Sequence, residues 1–439
     1  MKVLLLIPLF FLAALAHADK VDDLVERAMK AKHIPGLVLA VLRDGKPVKM
    51  KAYGLANVEY DVPARTDTPF LLASMTKSFT AACIMMLVEE GKIKLDAPIS
   101  TYLDDTPEAW KGITVRNLLS HTGGLKDRFE EVPFDVNKWK INYSKEAMYD
   151  AARKTAPDFK PGEHFQYSDQ DFFLLGIIIE KVGDMSYTGY LKKYIFDPLG
   201  MKDSGTIRLS RIVKGMAAGY AWQNGELFHN SRRTDYGMAS HFGMISTVED
   251  LAKWDTALYG EKLLKRSSLD AMWTLSKLNN GSAAYTSYGG YGLGWFLDEF
   301  NGHRSVGHGG STGTAYLRFP EDKLSVIVLT NLEQITGGDA PGIALAIAKT
   351  YLPDLEWSAL KPKEKFDAAL LKTFRSALEG MAAGKFDADL YTPLFGSMLQ
   401  PTIPAQKVGL GPLGPIRKIE VLEELPWGEG HLVRNRITF

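Results

Sequence analysis

The sequence predicts an α+β fold: an antiparallel sheet flanked by helices, a helical region inserted between the two halves of the sheet, and a small appended α+β module. Three observations lead to this prediction. Residues 36–57 and 291–331 carry apolar runs separated by turn residues, which is typical of strands. Residues 95–285 between them consist mostly of helical patterns broken by proline and glycine. After Pro353 the pattern changes again, to one amphipathic helix followed by two alternating segments.

The first twenty residues have the three parts of a secretory signal peptide. "MKVLLLIPLFFLAALAHADK" begins with one lysine, continues with an apolar stretch and ends on Ala16-His17-Ala18. The apolar stretch is too short for a comfortable membrane span. The sequence therefore predicts a signal peptide over residues 1–18 and an exported protein, periplasmic or secreted, with no integral membrane span after cleavage before Asp19.

The first half of the predicted sheet and the helix after it follow directly. An amphipathic helix is expected over about residues 20–32. "GLVLAVLRDGKPVKMKAYGLAN" then predicts two strands joined by a turn at Asp44-Gly45. The segment from Ser74 to Glu90 has a helical pattern that stops at Gly91.

The later elements complete the sheet and the module. "TVEDLAKWDTALYG" predicts a helix in the inserted region, and about four strands are expected from Tyr291 onward, with turns at Asn301-Gly302 and Pro320-Glu321-Asp322. Helices are expected at about 340–351 and 364–383, and "KIEVLEEL" and "HLVRNRITF" predict two strands. The main domain is therefore predicted over residues 19–353 and the module over 354–439.

Composition and charge exclude several classes of function. The 439 residues include 52 lysines and arginines and 52 aspartates and glutamates, so no net field attracts nucleic acid or anionic lipid. The 9 histidines show no metal-site spacing. Cys83 is the only cysteine, and its place in an apolar run predicts a buried structural thiol. We therefore expect no metal, no cofactor and no nucleic-acid partner.

A serine and a lysine lie three positions apart where a long helix is predicted to begin. Ser-x-x-Lys occurs at Ser74 to Lys77 and at Ser358 to Lys361, and on the order of two occurrences are expected by chance. Pro362 disfavours a helix after the second occurrence. Only the first opens a long helix, which places both side chains on one face.

That setting favours chemistry at Ser74. A serine hydroxyl is a weak nucleophile until a base takes its proton. A lysine can be that base where burial and the positive end of a helix destabilise its ammonium, and residues 74–90 offer both. The alternative is that Lys77 extends along the apolar surface to reach water.

Two further segments complete a pattern that resembles a known family. Tyr167-Ser168-Asp169 lies in "FKPGEHFQYSD", and His308-Gly309-Gly310-Ser311 lies in "SVGHGGSTG". With the serine–lysine pair, in this order, they resemble the serine β-lactamase-like superfamily, most closely its class C β-lactamase-like esterases and D-aminopeptidases. "VRNLLSHTGGL", "GMISTVEDLAKW" and "SVIVLTN" add to the resemblance, which covers about residues 20–350.

The resemblance implies a role for each matching residue. Ser74 would be the acylated nucleophile, and Lys77 and Tyr167 would share the general-base and general-acid work. The backbone N–H groups of Ser74 and Ser311 would form the oxyanion hole. His308 would hydrogen-bond near Tyr167 or the substrate. The resemblance also implies three substrate-binding positions, Asp169, Gly309 and Gly310.

Two departures from the family pattern refine the expected function. Asp169 stands where asparagine is usual, and a carboxylate near Lys77 favours the charged lysine and shifts the base role to Tyr167. No Lys-Thr-Gly follows the tyrosine, and without that lysine the carboxylate of a β-lactam is bound less well. The sequence thus predicts an exported serine hydrolase that cleaves a small ester, amide or peptide substrate through an acyl-enzyme.

Two other functions remain open at this point. A true β-lactamase or D,D-peptidase would use the same site, and a non-catalytic binding protein could keep the fold and tolerate Asp169. Individual residues also have structural interpretations. His121 in "LLSHTGGL" is expected to satisfy backbone groups near a turn. Tyr291, Trp295 and Trp222 are as consistent with core positions as with a pocket lining.

Overall fold

The computed structural model describes residues 10–126, 144–207, 212–223, 225–230, 239–286, 289–334, 338–355, 362–391, 399–400, 403–427 and 430–439. The chain divides into two compact units, Met1–Glu356 and Trp357–Phe439. The boundary lies close to the one predicted after residue 353. All the predicted site residues belong to the first unit.

Twelve α-helices are found among the described residues. They are α1 (Phe10–Lys32), α2 (Thr76–Glu89), α3 (Val115–Leu119), α4 (Lys145–Arg153), α5 (Asp169–Gly183), α6 (Tyr187–Leu191), α7 (Asp197–Leu199), α8 (Val248–Ala257), α9 (Arg266–Met272), α10 (Ala340–Tyr351), α11 (Ala368–Ala383) and α12 (Ile403–Leu410).

The described strands are similarly numbered along the chain. They are β1 (Gly36–Arg43), β2 (Lys46–Asn57), β3 (Val62–Pro63), β4 (Phe70–Leu71), β5 (Gly205–Thr206), β6 (Tyr220–Gln223), β7 (Glu226–His229), β8 (Met244–Ser246), β9 (Tyr285–Thr286), β10 (Gly289–Tyr291), β11 (Phe296–Phe300), β12 (His303–Gly310), β13 (Thr314–Phe319), β14 (Leu324–Thr330), β15 (Lys418–Trp427) and β16 (Gly430–Thr438).

A nine-stranded antiparallel sheet organises the first unit. Its order is β3-β2-β1-β14-β13-β12-β11-β10-β9, so the N-terminal hairpin joins the later strands through β1 and β14, with Leu37 opposite Thr330. Helices α1 and α10 pack together, α10 against β13 and β14, whereas α8 packs on β1 and β14. Strands β1 and β14 are buried almost throughout, which explains their continuous apolar sequences. The predicted α+β fold is confirmed.

The two predicted hairpin turns are present and have the backbone that their residues favour. Asp44 and Gly45 have φ values of 50° and 69°, and Asn301 and Gly302 have φ values of 54° and 87°. Two successive positive φ angles define a type I′ turn, for which Asp-Gly and Asn-Gly are the preferred pairs. These turns fix the register of β1 with β2 and of β11 with β12.

The inserted region contains short strands as well as the predicted helices. Strands β4, β8 and β5 form a three-stranded sheet, and β6 pairs with β7. These strands are two to four residues long. Segments of that length are too short to show an alternating pattern, so a prediction of mostly helix missed them.

Helix α2 lies in the core of the first unit. Every residue from Thr76 to Leu87 is buried, including Cys83, as predicted for a structural thiol. Burial also raises the pKa of the Cys83 thiol. Helix α2 packs against α5, so it brings the Ser74 region next to the start of α5. This contact assembles the candidate site.

The second unit contains α11, α12 and a two-stranded sheet of β15 and β16. Asp367 caps α11 by accepting hydrogen bonds from the backbone N–H groups of Ala369 and Leu370. Within the described ranges of both units, we find no helix with the length and apolarity that a bilayer crossing requires.

Candidate active site

Ser74 lies in a short turn that leads into α2. The turn is a single 3-10 segment, Ala73–Met75, and Ser74 is the one residue from Leu72 to Thr80 that is not buried. Ala73 before it has a φ of 49°, a left-handed conformation that residues other than glycine rarely adopt. The sharp bend at Ala73 leaves the Ser74 hydroxyl accessible while the chain around it is fixed in the core.

The Lys77 ammonium is fully buried and donates three hydrogen bonds. Its Nζ donates to Asp169 Oδ1 at 2.5 Å, to the backbone oxygen of His241 at 2.9 Å and to Ser74 Oγ at 3.2 Å. An ammonium carries three protons, so the three acceptors match its charged form. The side chain is 0% exposed, so the alternative in which Lys77 reaches water is wrong.

Asp169 balances the charge of Lys77. Burial by itself would raise the pKa of the Asp169 carboxyl, but the adjacent Lys77 ammonium outweighs this effect and holds the pKa below its usual value. Asp169 is therefore ionised at neutral pH. Its side chain remains 26% exposed, so the carboxylate also reaches the open side of the site.

Tyr167 stands on the other side of Lys77. It precedes Ser168, the N-cap residue of α5, and its ring centre is 4.8 Å from Lys77 Nζ. A cation this close to a phenol favours its phenolate form. The Lys77 ammonium therefore lies between the serine oxygen, to which it donates, and the ring of the candidate base.

His308 is a neutral imidazole held at both nitrogens. Its Nδ1 is 2.7 Å from the backbone oxygen of Gly309, so Nδ1 carries the proton and donates it. Nε2, 3.2 Å from the Tyr291 hydroxyl, then accepts from that group. Burial and the nearby Lys77 charge lower the pKa of His308 to about 3. The ring centre is 6.3 Å from that of Tyr167, so His308 lies near Tyr167 but offers no positive charge.

The end of β12 runs against the turn that carries Ser74. Thr312 and Thr314, just after the strand, donate to the backbone oxygens of Leu71 and Leu72 at 2.7 and 2.8 Å. Ser311 is the first residue after β12. The backbone segments of Ser74 and Ser311, from which the two oxyanion donors are predicted, are thus adjacent.

The two predicted substrate-binding glycines have different surroundings. A Cβ atom at Gly310 would lie 2.2 Å from the Leu72 oxygen, so glycine is required there for β12 to approach the Ser74 turn. A Cβ at Gly309 would meet only ordinary contacts, 3.4 Å from the Thr314 oxygen and 3.5 Å from Pro341. Contact of either glycine with a substrate stays a prediction.

Several groups that contribute to the site, both backbone and side chain, were not identified as such from the sequence. The His241 carbonyl binds Lys77, the Tyr291 hydroxyl binds His308, and His121 with Asp171 lies beside Tyr167. Any residue can supply a backbone carbonyl, so the sequence "SHFGM" around residue 241 does not indicate that this carbonyl accepts from Lys77. Tyr291 and His121 did have a signal: Tyr291 is an aromatic where the strand pattern begins, and His121 lies in a family-like segment.

The residues brought together can perform acyl transfer. The Ser74 hydroxyl, the buried Lys77 ammonium and the Tyr167 ring lie close together, and the end of β12 packs against the Ser74 turn. Over the described ranges, no group of three or more histidine, cysteine, aspartate or glutamate side chains could hold a metal ion. The donors and acceptors present are those of nucleophilic catalysis.

Comparison with protein families and curated proteins gives two matches of note. The model of the family described as Beta-lactamase matches residues 21–349. Protein flp of Staphylococcus aureus (strain MW2) is 27% identical over 329 residues, which cover 72% of this chain. The matched region spans 63% of the length of Protein flp.

Comparison with solved structures gives matches over most of both chains. An octameric penicillin-binding protein homologue from Pyrococcus abyssi is 31% identical, with a TM-score of 0.69, and the match covers 76% of this chain and 77% of that chain. A D-stereospecific amidohydrolase from Streptomyces sp. is 26% identical, with a TM-score of 0.62, covering 75% of this chain and 98% of that chain.

Proposed function

Since the chain belongs to the Beta-lactamase family, we propose that it hydrolyses ester, amide or peptide bonds through an acyl-enzyme formed on Ser74. The coarser assignment, to the β-lactamase-like serine hydrolase superfamily, follows from the family match and from the penicillin-binding-protein-like and amidohydrolase neighbours. The observation that carries the finer proposal is the contact of Ser74 Oγ with a fully buried, charged Lys77 at 3.2 Å.

The acylation step uses the residues in the order in which they meet the substrate. Tyr167, as the base, takes the Ser74 proton while Oγ attacks the substrate carbonyl carbon. The resulting oxyanion accepts hydrogen bonds from the backbone N–H groups of Ser74 and Ser311, and removal of one such donor typically lowers the rate about 10²–10³-fold. Tyr167 returns the proton to the leaving alcohol or amine as the carbon–heteroatom bond breaks.

Deacylation reverses these roles with water in place of the leaving group. A water molecule gives its proton to Tyr167 and attacks the acyl carbon, and the proton passes to Ser74 Oγ as the ester bond breaks. Lys77 keeps its proton throughout, because Asp169, the His241 carbonyl and Ser74 accept all three of its hydrogen bonds. Its charge stabilises the negative charge that develops on Tyr167 and on the serine oxygen.

The test is covalent labelling and turnover with a matched control. We expect wild-type protein to be labelled by a fluorophosphonate probe and to hydrolyse a short-chain nitrophenyl ester. Ser74→Ala should lose the labelling and about 10⁶ in turnover. Ser358→Ala, which removes the serine of the second Ser-x-x-Lys sequence, should keep both. Labelling or turnover that persists in Ser74→Ala would exclude this mechanism, whereas a wild type with neither labelling nor turnover would favour a non-catalytic protein.

A second candidate function is cleavage or binding of β-lactams, as in a β-lactamase or D,D-peptidase. The observation in its favour is the 31% identity to a penicillin-binding protein homologue. The neutral His308 argues against it, since an uncharged imidazole at that position offers no cation for the carboxylate of a β-lactam. Faster turnover of a chromogenic β-lactam than of the nitrophenyl ester would reverse this preference.

We also propose that the protein is exported. The proposal is supported by the lysine, apolar stretch and Ala16-His17-Ala18 at the N-terminus. It is consistent with a fold that contains a single, buried cysteine and so needs no disulfide for its stability. The expected substrate is a small ester, amide or peptide outside the cytoplasm.

A further inference from the structure

His121 and Asp171 form a buried pair beside Tyr167 that has no part in the acyl-transfer steps. His121 Nδ1 lies 2.9 Å from Asp171 Oδ2, and the two side chains are 0% and 1% exposed. Asp171 is in the first turn of α5, where the positive end of the helix favours a carboxylate. The Nδ1 proton is therefore donated to Asp171, which leaves the other nitrogen, Nε2, without a hydrogen-bond partner among the described residues.

His121 contacts both the backbone before Tyr167 and the Tyr167 ring. Its carbonyl oxygen accepts from the Gln166 N–H at 2.9 Å. The imidazole ring centre is 4.4 Å from the Tyr167 ring centre. One residue thus holds the backbone before Tyr167 and packs against its ring.

The imidazole beside Tyr167 is neutral and fixed. Burial lowers the pKa of His121 well below its usual value, and the charge of Lys77 acts in the same direction. His121 follows α3 in the chain, has a positive φ of 55° and is fully buried. The ring also lies 4.9 Å from that of Tyr291, whose hydroxyl binds His308, so these aromatic groups form one continuous packed cluster.

We propose that His121, oriented by Asp171, is a positioning residue that holds the Tyr167 phenol in its reactive place next to Lys77. The inference rests on the proposed function, because it assigns His121 an effect on catalysis only through Tyr167. His121 does not touch the substrate and moves no proton. Its contribution is to fix the angle and position of a base, and small displacements of a catalytic group lower rates by about 10².

The test is a double-mutant cycle between His121 and Tyr167. His121→Asn suits the position because asparagine tolerates a positive φ. It is expected to lower kcat about 10²-fold and to leave KM within about threefold, since only transition-state interactions are lost. In the Tyr167→Phe background the phenol hydroxyl is already absent, so His121→Asn should lower the residual ester turnover by less than about threefold.

Two further variants separate positioning from general loss of structure. Asp171→Asn should lower kcat in the same direction as His121→Asn, because the imidazole tautomer is no longer fixed. Asn331→Ala is the structural control: Asn331 is buried and bonds Gly36 and Leu55 backbone groups in the sheet. This variant should have a lower melting temperature than the wild type. Its kcat, measured well below that temperature, should stay within about threefold of the wild-type value.

The outcomes distinguish failure of the inference from failure of the proposed function. No Ser74-dependent turnover in the wild type would overturn the proposed function, and this inference with it. Turnover in the wild type, with equal kcat losses for His121→Asn in the wild-type and the Tyr167→Phe backgrounds, would overturn the inference alone. An unchanged kcat in a folded His121→Asn protein would do the same.

Discussion

At the scale of single residues, the ion pair of Lys77 and Asp169 sets the charge of the site. The carboxylate accepts at 2.5 Å from an ammonium that is entirely buried. A negative charge stabilises the protonated form of any base beside it. Asp169 therefore keeps Lys77 charged and also opposes proton loss from Tyr167. Asparagine at this position would remove the charge and keep the shape.

We predict that Asp169→Asn shifts the acidic limb of the kcat/KM profile to lower pH, by about one unit or more. The sign follows from the lost negative charge: without it, Tyr167, the base, loses its proton more readily. The measurement is ester hydrolysis between pH 4 and 10, with the folded state of each variant checked by circular dichroism.

Asp270→Asn provides the matched control for this experiment. It removes the same charge from an exposed carboxylate on α9 that pairs with Arg266, and exposed pairs have small effects. Its pH profile should coincide with that of the wild type. A profile of Asp169→Asn that also coincides with the wild type, or moves to higher pH, would remove Asp169 from the mechanism.

The residues of the site differ in how far the sequence could predict them. Ser74 and Lys77 are three positions apart on one helical segment, so local spacing was sufficient. The other acceptors of Lys77 lie 92 and 164 positions away, and one of them is a backbone carbonyl. Such contacts depend on how α2, α5 and the loop before β8 pack. The full set of acceptors around Lys77 therefore follows from tertiary structure, whereas Asp169 could be expected near it from the sequence.

At the scale of elements, the approach of β12 to the Ser74 turn depends on one glycine. A methyl group at Gly310 would lie 2.2 Å from the Leu72 oxygen and 2.4 Å from Thr314 Oγ1. Backbone atoms cannot yield as a flexible side chain can, so the strand or the turn must move. We predict that Gly310→Ala lowers kcat/KM by about 10² or more and the free energy of unfolding by about 1–3 kcal/mol.

Gly309→Ala is the adjacent comparison, measured by the same ester assay and by urea unfolding. Its Cβ would meet only ordinary contacts, the nearer being 3.4 Å away, so its free energy of unfolding should stay within about 0.5 kcal/mol of the wild type. Equal destabilisation by the two alanines would contradict the close approach at Gly310.

Helices, strands and turns could be predicted where several neighbouring residues all favour the same local structure. The Asp44-Gly45 and Asn301-Gly302 turns, the apolar runs of β1 and β14 and the length of α10 all express local preferences that agree with the fold. Strands β4, β5 and β8 pair across long distances and are too short for such a pattern. They form because the inserted region packs on the core, which a local pattern does not reveal.

At the scale of the whole molecule, a single sheet holds together segments from both ends of the first unit. Strand β1 pairs with β2 on one side and with β14 on the other, and the site lies where β12 of this sheet meets α2 and α5. The order of strands, helices and strands in the sequence indicated this arrangement. The position of the chain after the sheet is fixed by later contacts, among them one made by His303.

His303 is a pH-sensitive link between the sheet and the end of the first unit. Its Nδ1 lies 2.9 Å from both carboxylate oxygens of Asp322, and its Nε2 lies 2.9 Å from Asp354 Oδ2. These hydrogen bonds, first that of Asp322 and then that of Asp354, raise the pKa of His303. A raised pKa in the folded state means that the stabilisation is complete below the unfolded pKa of about 6.5 and is lost as the pH rises through the folded value.

We therefore predict that His303→Gln lowers the free energy of unfolding at pH 5.5 by about 1 kcal/mol. This value is smaller than that for a buried charged pair, because Asp354 is largely exposed. At pH 8.5 the loss should be smaller, since a rise in pH toward and through the raised pKa of His303 removes the charge of the wild-type histidine. Urea unfolding at the two pH values measures both, with the exposed His164→Gln as the control. A loss that is equal at the two pH values, or larger at pH 8.5, would show that the contacts of His303 do not depend on its charge.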